Sequence, residues 1–259
     1  MGILEKMSLS GKKAFVTGGA QGIGKCIVTA LVEAGADVAI VDRNIGQAEE
    51  TALEIGRMTG CRLIAIKADI TEPSDMKAMT DTILAEFGKL DIAFCNAGIC
   101  NDDCAIEDET YENWVKLMDV NLTGAFLSAQ AAGRVMLKQG SGSIILTGSM
   151  SGMIANVPQR EGTYCVSKAG VIHLAKAMAV EWASRGVRVN CISPGYMATE
   201  MTLNTPSMAP YMEQWSKLTP MGRMGRPEEL QSIAVYLAGD TSSYTTGANF
   251  VIDGSYTCF

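Results

Sequence analysis

Runs of apolar residues alternate with longer helix-forming stretches along the whole chain. The runs are almost continuously apolar, as in "KAFVTGG" (Lys13–Gly19) and "VAIVD" (Val38–Asp42), and their polarity does not alternate. Continuous apolar strands are typical of a sheet that is covered on both faces. Strands that alternate with helices are joined by right-handed crossovers and lie parallel. The sequence therefore predicts an α/β fold with a doubly wound parallel sheet and helices on both of its faces.

The pattern predicts a single domain over residues 1–259, built as a Rossmann-type sheet of seven parallel strands. The predicted strands are Lys13–Gly19, Val38–Asp42, Arg62–Ile70, Asp91–Gly98, Ser143–Ser149, Val187–Gly195 and Ala248–Asp253. The predicted helices lie at about residues 22–34, 47–58, 73–87, 111–138 and 227–238, with a further helix around Tyr164. The segment 196–226 is the least regular and is long for a connection, so we expect it to be a substrate lid.

Composition argues against several classes of function. The net charge is −7 and no basic block occurs, so nucleic acid and anionic membranes are not expected as partners. No apolar run reaches the roughly 18 residues of a membrane-spanning helix, and the N-terminus lacks a signal-peptide pattern. The eight cysteines form no CxxC pair and the chain has one histidine. We therefore expect reduced thiols, no metal site and a cytoplasmic location.

A glycine-rich stretch, "TGGAQGIG" (Thr17–Gly24), follows the first strand and opens the first helix. Glycines at 18, 22 and 24 permit a tight turn and let a pyrophosphate approach the helix N-terminus, where backbone amides favour anions. The spacing Gly-x-x-x-Gly-x-Gly is a weak signal alone, and an ordinary turn is the alternative. Its place between a strand and a helix favours a dinucleotide site.

Asp42 ends the second strand and bears on the choice of dinucleotide. A carboxylate at this place accepts hydrogen bonds from the adenosine ribose hydroxyls and repels a 2′-phosphate, which favours NAD over NADP. Arg43 argues the other way, because a guanidinium can bind that phosphate. An ordinary turn residue is the alternative for Asp42. We expect NAD as the cofactor, with NADP less favoured.

Two more strands end in polar residues at the same edge of the sheet. "ADI" (Ala68–Ile70) follows the third strand, and "CNAG" (Cys95–Gly98) ends the fourth. Ligands of such sheets bind beyond the carboxyl ends of the strands, so these residues are expected to contact adenine and ribose. Asp and Asn are also common turn residues, which stays open as the alternative.

Tyr164 and Lys168 are four residues apart on a predicted helix and share one face. A nearby ammonium favours the phenolate, so we expect Lys168 to lower the pKa of Tyr164 and to make it a usable acid and base. A serine at the end of the neighbouring strand could orient the substrate oxygen. Without further motifs, a surface tyrosine–lysine pair is the alternative.

Six motifs occur in one order along the chain: "TGGAQGIG", "CNAG", "MDVNLTGAF", "GSMSG", "YCVSK" and "VNCISPGYMATEM". Together they resemble the short-chain dehydrogenase/reductase family over essentially the full length. The resemblance implies hydride transfer between NAD(H) and a secondary alcohol or ketone. It also implies a catalytic tetrad, in which Tyr164 exchanges a proton with the substrate oxygen and Ser149 hydrogen-bonds that oxygen. Lys168 would bind the nicotinamide ribose, and Asn121 would hold a proton-relaying water.

The glycine-rich loop, the strand ends and the family resemblance together give a set of cofactor-binding residues. They are Gly18, Gln21, Gly22, Ile23, Gly24, Asp42, Arg43, Asp69, Ile70, Asn96, Ala97, Gly98, Tyr164, Lys168, Pro194, Gly195, Met197 and Thr199. The last four lie in the segment that, by the resemblance, contacts the nicotinamide side.

Two serines compete for the catalytic position. Ser151 lies thirteen residues before Tyr164, which is the commoner family spacing, and Ser149 lies fifteen before it. Ser149 directly follows the apolar strand, and Gly152 stands three residues after it, as the family pattern Ser-x-x-Gly requires. We therefore assign the catalytic role to Ser149 and place Ser151 in the loop.

The loop after these serines carries a second resemblance. "GSMSGMIANVPQ" and the tail "DGSYTCF" are similar to the sugar-alcohol dehydrogenases of the family. A sugar alcohol/ketose pair is thereby implied as the small-molecule substrate, with substrate contacts from Ser149, Ser151, Asn156, Gln159 and Tyr164. Glu161 could add a hydrogen bond. A polar surface turn is the alternative for the loop, and a 3-oxoacyl thioester, a hydroxysteroid or another small carbonyl stays open as the substrate.

The helix "KAGVIHLAKAMAVEW" is apolar nearly all round, so we expect the sheet to cover one side and another subunit the other. Within it, His173 is expected to be a packed residue. The family commonly forms tetramers through this helix, which implies a homotetramer. A non-catalytic dinucleotide-binding protein is the remaining class, and the intact tetrad argues against it.

Overall fold

A parallel sheet of seven strands organises the part of the chain that the computed structural model describes, residues 2–57, 59–100, 103–204 and 208–259. The strands are β1 (Lys13–Thr17), β2 (Asp37–Asp42), β3 (Leu63–Lys67), β4 (Ile92–Cys95), β5 (Gly142–Thr147), β6 (Val187–Pro194) and β7 (Asn249–Ile252). Neighbours pair in parallel in the order β3-β2-β1-β4-β5-β6-β7. The predicted fold class is confirmed.

Helices cover both faces of this sheet. They are α1 (Ile3–Met7), α2 (Gly22–Glu33), α3 (Ile45–Gly56), α4 (Pro73–Phe87), α5 (Tyr111–Met118), α6 (Gly124–Gln139), α7 (Gly162–Trp182), α8 (Glu200–Asn204), α9 (Ala209–Leu218) and α10 (Gln231–Ala238). Successive strand residues point to opposite faces. Phe15 of β1 packs with residues of α4, α6 and α7, whereas Val16 packs with residues of α2, α3 and α10. Two buried faces explain why the strands carry apolar residues at successive positions and do not alternate between apolar and polar ones.

The ends of the strands differ from the prediction. The predicted strands include Gly19, Ile70, Gly98 and Ser149, but these residues lie beyond the sheet in the loops at its carboxyl edge. The apolar pattern continues past the last strand residues because the loops are themselves partly buried. These loops form the walls of the site.

The predicted continuous helix 111–138 is interrupted. A π-helical turn, Asp119–Thr123, lies between α5 and α6. Single π-helical turns widen a helix locally and often occur at functional sites. This one contains Asn121, whose side-chain bonds to another segment are described below.

The segment 196–226 is more regular than predicted, since it contains α8 and α9. Trp215 of α9 is buried, while Glu213 and Lys217 form an exposed ion pair on its outer side. Pro210 lies in the first turn of α9, where a proline is tolerated. The high content of methionine, threonine and proline had obscured these helices. Their role as a lid stays a prediction.

Helix α7 packs on the sheet with one side only. Val166 and Val180 are exposed on the other side, and so is His173. Because the sequence led us to expect another subunit on this side, the packing of His173 stays a prediction. Apolar residues occur on the outer face of α7 as well as on the inner face, so the sequence alone does not indicate which side of the helix is exposed. None of the helices formed by the described residues is long and apolar enough to cross a membrane.

Candidate active site

The carboxyl ends of the strands open into a cavity of about 580 Å³. Strand order reverses between β1 and β4, and ligands of doubly wound sheets bind at such a reversal. Every residue that the sequence assigned to the dinucleotide lines this cavity, as do Ser149 and Ser151. Three predicted site residues do not line it: Asn121, Asn156 and Gln159. The cavity thus gathers all the predicted cofactor residues but only part of the predicted substrate residues, and the binding roles of both sets stay predictions.

The glycine-rich loop gives the cavity an anion-binding end. Gly18 and Gly22 have φ angles of +62° and +54°, which side chains rarely adopt. A Cβ on Gly24 would lie 2.0 Å from the Gly18 carbonyl oxygen, so only glycine fits there. The loop leads into the N-terminus of α2, whose first residues line the cavity. Free amides at a helix N-terminus suit a pyrophosphate.

Asp42 lies at the next strand end with its carboxylate fixed by the backbone. It accepts hydrogen bonds from the amides of Asn44 at 3.0 Å and Ala20 at 3.4 Å. Arg43 is close enough to Asp69 for its charge to act there. Hydrogen bonds from Thr71 hold the pKa of Asp69 below its ordinary value, and the charge of Arg43 adds to this effect. The guanidinium of Arg43 thus lies in an acidic environment.

Asn96 ties three neighbouring strands together at the centre of the cavity. Its side-chain amide donates to the Thr17 carbonyl oxygen at 3.2 Å and accepts from the Thr147 hydroxyl at 3.2 Å. The Thr17 hydroxyl in turn accepts from the Asn96 backbone amide at 3.0 Å. Because these bonds link β1, β4 and β5, the cavity floor is fixed on rigid elements.

Tyr164, Lys168 and Ser149 meet at the other end of the cavity. The Lys168 ammonium donates to the Thr147 carbonyl oxygen at 2.9 Å and lies 5.6 Å from the centre of the Tyr164 ring. Burial lowers the pKa of Lys168 to about 8. Burial also raises the pKa of Tyr164, and a hydrogen bond with Ser149 offsets part of that rise. The net direction at Tyr164 is therefore opposite to the lowering of its pKa that the sequence predicted, because desolvation is the largest influence on this phenol.

The structure brings both serines to the cavity but gives them different partners. The Ser149 hydroxyl accepts from the Ser151 backbone amide and donates to the Ser151 hydroxyl, each at 3.1 Å. Ser149 also hydrogen-bonds to Tyr164. A Cβ on Gly152 would lie 2.6 Å from the Lys168 backbone, which explains the glycine three residues after Ser149. The contacts favour Ser149 as the partner of the tyrosine.

Asn121 lies behind the cavity wall. Its side chain accepts from the Ile99 amide at 2.8 Å and donates to the Ile99 carbonyl oxygen at 2.9 Å and to the Ser167 hydroxyl at 3.2 Å. A Cβ on Gly98 would lie 3.1 Å from the Asn121 side chain and 3.4 Å from the Lys168 ammonium. Asn121 thus positions the loop beside Lys168, and its predicted water stays a prediction.

Asn156 and Gln159 also lie behind the wall, where both donate to the hydroxyl of Tyr196, at 2.8 and 2.6 Å. Gln159 further accepts from the Trp215 indole at 2.9 Å. The rings of Tyr196 and Trp215 are stacked with centroids 4.2 Å apart, and both residues line the cavity. The structure thus places the two amides as supports of the aromatic wall, and their predicted contact with substrate stays untested.

Comparison with known proteins agrees with this geometry. A family model described as enoyl-(acyl carrier protein) reductase matches residues 18–257. The solved structure of a short-chain type dehydrogenase/reductase from Mycobacterium marinum has a TM-score of 0.96 and 47% identity, with all of both chains covered. The chain belongs to the short-chain dehydrogenase/reductase family. The predicted family resemblance is confirmed.

Several relatives of this chain are named as reductases or dehydrogenases of sugars and sugar alcohols. The sorbose reductase of Candida albicans is 42% identical over 99% of this chain and 90% of its own length. The galactitol 2-dehydrogenase of Rhizobium johnstonii is 40% identical over all of both chains. The NADP-dependent mannitol dehydrogenase of Alternaria alternata is 40% identical over 96% of this chain and 93% of its own length.

The sequence missed several cavity residues of this family member. Tyr196, Trp215, Met208 and Cys100 line the cavity, although the sequence assigned none of them to the site. Glu161, which the sequence offered as a further hydrogen-bonding residue, lines it as well. One signal was present: two aromatic residues of α9 stand four apart, at 211 and 215, and so share a helix face. Among the residues that the structure describes, no three His, Cys, Asp or Glu side chains are grouped so that they could hold a metal ion.

Proposed function

We propose that this protein interconverts a sugar alcohol and its ketose by hydride transfer. The observation that carries the proposal is the group of Ser149, Tyr164 and Lys168 at one end of a cavity whose other end fits a dinucleotide. The names of the sorbose, galactitol and mannitol relatives support this substrate class. A nicotinamide dinucleotide bound there supplies the hydride acceptor for oxidation and the hydride donor for reduction.

Tyr164 acts in this proposal as the acid and base. The raised pKa keeps its phenol protonated near neutral pH, so it is ready to donate a proton to a ketone oxygen during reduction. Oxidation requires the phenolate and therefore gains rate as pH rises. Ser149 holds the substrate oxygen, and Lys168 orients the ribose and supplies positive charge while it is protonated, below about pH 8.

We propose NAD as the preferred dinucleotide. The carboxylate of Asp42 supports this preference, because the amides of Ala20 and Asn44 hold it at the strand end where the adenosine ribose would bind. The positive charge of Arg43 acts on the nearby carboxylate of Asp69, which partly offsets it. The mannitol dehydrogenase relative is named as NADP-dependent, so the preference needs its own test. We expect kcat/KM for NAD to exceed that for NADP by about tenfold or more, and the reverse order would overturn this assignment.

We further propose a cytoplasmic homotetramer that contacts neither nucleic acid nor membranes. The exposed apolar residues Val166 and Val180 on α7 support a subunit contact there. Light scattering with size-exclusion chromatography tests this directly, and Val180→Glu is expected to reduce the particle mass. A monomeric wild type would contradict the assembly but not the chemistry.

The test of the proposed function is a panel of four- to six-carbon sugar alcohols, assayed with NAD by NADH absorbance, and the matching ketoses assayed in reverse. We expect turnover of at least one alcohol/ketose pair that depends on Tyr164. Activity confined to a 3-oxoacyl thioester, a hydroxysteroid or another small carbonyl would replace the polyol assignment. Binding of dinucleotide without turnover of any of these would indicate a non-catalytic protein.

A further inference from the structure

Glu161 is a carboxylate at the substrate end of the cavity, which it lines together with Ser149 and Tyr164. It stands directly before α7, where acidic side chains often cap the helix, but its side chain makes no capping bond. Its backbone is held by the amide of Cys165 at 2.9 Å and by a bridge to Cys104. The backbone is therefore held at the start of α7, and the carboxylate, which is close enough to Tyr164 to act on it electrostatically, is not used to cap the helix.

The partners of this carboxylate are neutral. The Cys100 thiol lies 3.6 Å from it, and Gln159 also hydrogen-bonds to it. None of the ion pairs found in the described residues includes Glu161. The adjacent Arg160 is turned away and pairs with Asp103 at 3.0 Å. A partly buried carboxylate without a cation is unfavourable, and such groups are concentrated at functional sites.

The surroundings of Glu161 make the negative charge on its carboxylate still less favourable. Burial raises the pKa of Glu161, and the charge of Asp103 adds to the rise. Tyr196, whose hydroxyl also contacts Gln159, and Trp215 form the neighbouring aromatic wall. Aromatic rings attract cations, so neither the carboxylate nor the wall favours an anion. A ligand with a positive group or with hydroxyl donors would relieve the unpaired charge.

We propose that Glu161 makes this site select its substrate by charge. Sugar alcohols that carry an ammonium group bind best, neutral sugar alcohols bind next, and sugar acids and sugar phosphates are excluded. Two charges a few ångströms apart at a protein surface interact strongly enough to separate such ligands by about tenfold or more. The inference rests on the proposed function, because it assumes that the substrate is a polyhydroxylated chain.

The experiment compares three ligands with one carbon chain and different charge: D-glucitol, 1-amino-1-deoxy-D-glucitol and D-gluconate, or the analogous set for the alcohol that the panel identifies. In the wild type we expect kcat/KM to fall from the amine through the neutral alcohol to the acid. In Glu161→Gln the separation between amine and acid is expected to shrink by about tenfold or more. Glu161→Asp keeps the charge and should restore the order. Glu107→Gln, which removes an exposed carboxylate, should leave the order unchanged.

Calorimetric titration of the same three ligands gives a readout that needs no turnover. A Glu161→Gln protein that unfolds at the wild-type temperature, oxidises the neutral alcohol and keeps the wild-type order would overturn the inference and leave the proposed function intact. If the wild type oxidises no sugar alcohol, the proposed function fails, and the titration decides on Glu161 alone. Equal binding of the three ligands by the wild type would overturn the charge selection.

Discussion

The two ends of the cavity are built in different ways. The dinucleotide end consists of backbone: positive-φ glycines, a helix N-terminus and strand ends that Asn96 ties together. The substrate end consists of side chains from segments far apart in the chain, such as Gln159, Tyr196 and Trp215. Changes at the first end should therefore act mainly on cofactor binding. Changes at the second end should act mainly on the substrate and the chemistry, apart from Lys168, which serves both.

The largest expected effect separates chemistry from cofactor binding. Tyr164→Phe removes the proton donor, so we expect kcat to fall by about a thousandfold. The dissociation constant for NADH should stay nearly unchanged, because backbone groups at the other end bind most of the dinucleotide. Stopped-flow assays and fluorescence titration measure the two quantities. Loss of NADH binding together with activity would break the division between the two ends.

The two serines give a sharper test within the substrate end. Ser149→Ala removes the hydroxyl that contacts Tyr164, and we expect kcat/KM to fall by about a hundredfold. Ser151→Ala is the matched control, since it removes a hydroxyl from the same cavity that hydrogen-bonds to Ser149. Its loss should be much smaller. Equal losses in steady-state assays would contradict the assignment of Ser149.

A change at the dinucleotide end should act on the cofactor alone. Asp42→Ala removes a fixed carboxylate, so we expect the ratio of kcat/KM for NAD to that for NADP to fall by about tenfold or more. The KM for the sugar alcohol should not change. An unchanged ratio would show that Asp42 is only a turn residue, the alternative that its sequence position leaves open.

The aromatic wall is expected to give a moderate effect on stability and substrate binding. Tyr196→Phe leaves the buried amides of Asn156 and Gln159 without their shared partner, at a cost of about 1–3 kcal/mol. We expect a lower unfolding midpoint and a higher KM for the alcohol. Tyr244→Phe is the control, because Tyr244 is fully exposed. Chemical denaturation and kinetics of the two variants test the difference, and equal behaviour would contradict it.

The smallest expected effect is a pH dependence of stability. Burial lowers the pKa of Lys168 from 10.5 to about 8, so between these values the unfolded chain binds more protons than the folded one. Stability should therefore rise with pH, by about 1 kcal/mol between roughly pH 7.5 and 9. Lys168→Met should lack this part of the slope. Denaturation curves of both proteins at the two pH values measure this change. If the free energy of unfolding changes with pH by the same amount in both proteins, the lowered pKa of Lys168 is ruled out.

The same division explains what the sequence could predict. The spacing of the glycines and the ends of the strands can be recognised from short stretches of sequence. Because the carboxyl ends of parallel strands lie at one edge of the sheet, Gly18, Gly24 and Asp42 are expected to lie near one another. The tyrosine–lysine pair is local too, at one turn of α7. These parts were predicted at the residue level and all line the cavity.

The substrate end depends on contacts between distant segments. Asn156 and Gln159 were predicted to face the substrate, but the position of Tyr196 turns them towards its hydroxyl. The direction of the Tyr164 pKa shift depends on how deeply the phenol is buried, and burial cannot be inferred from the spacing of residues. The π-helical turn at Asn121 likewise depends on bonds to Ile99 in another segment.

The most direct test of the central claim follows the transferred hydrogen. A sugar alcohol from the panel is labelled with deuterium at the reacting carbinol carbon and incubated with NAD and the wild-type protein. The account predicts equal amounts of ketose and of reduced nicotinamide carrying the deuterium, measured by mass spectrometry and NMR. Deuterium released to solvent, or ketose formed without labelled nicotinamide, would contradict direct hydride transfer in this site.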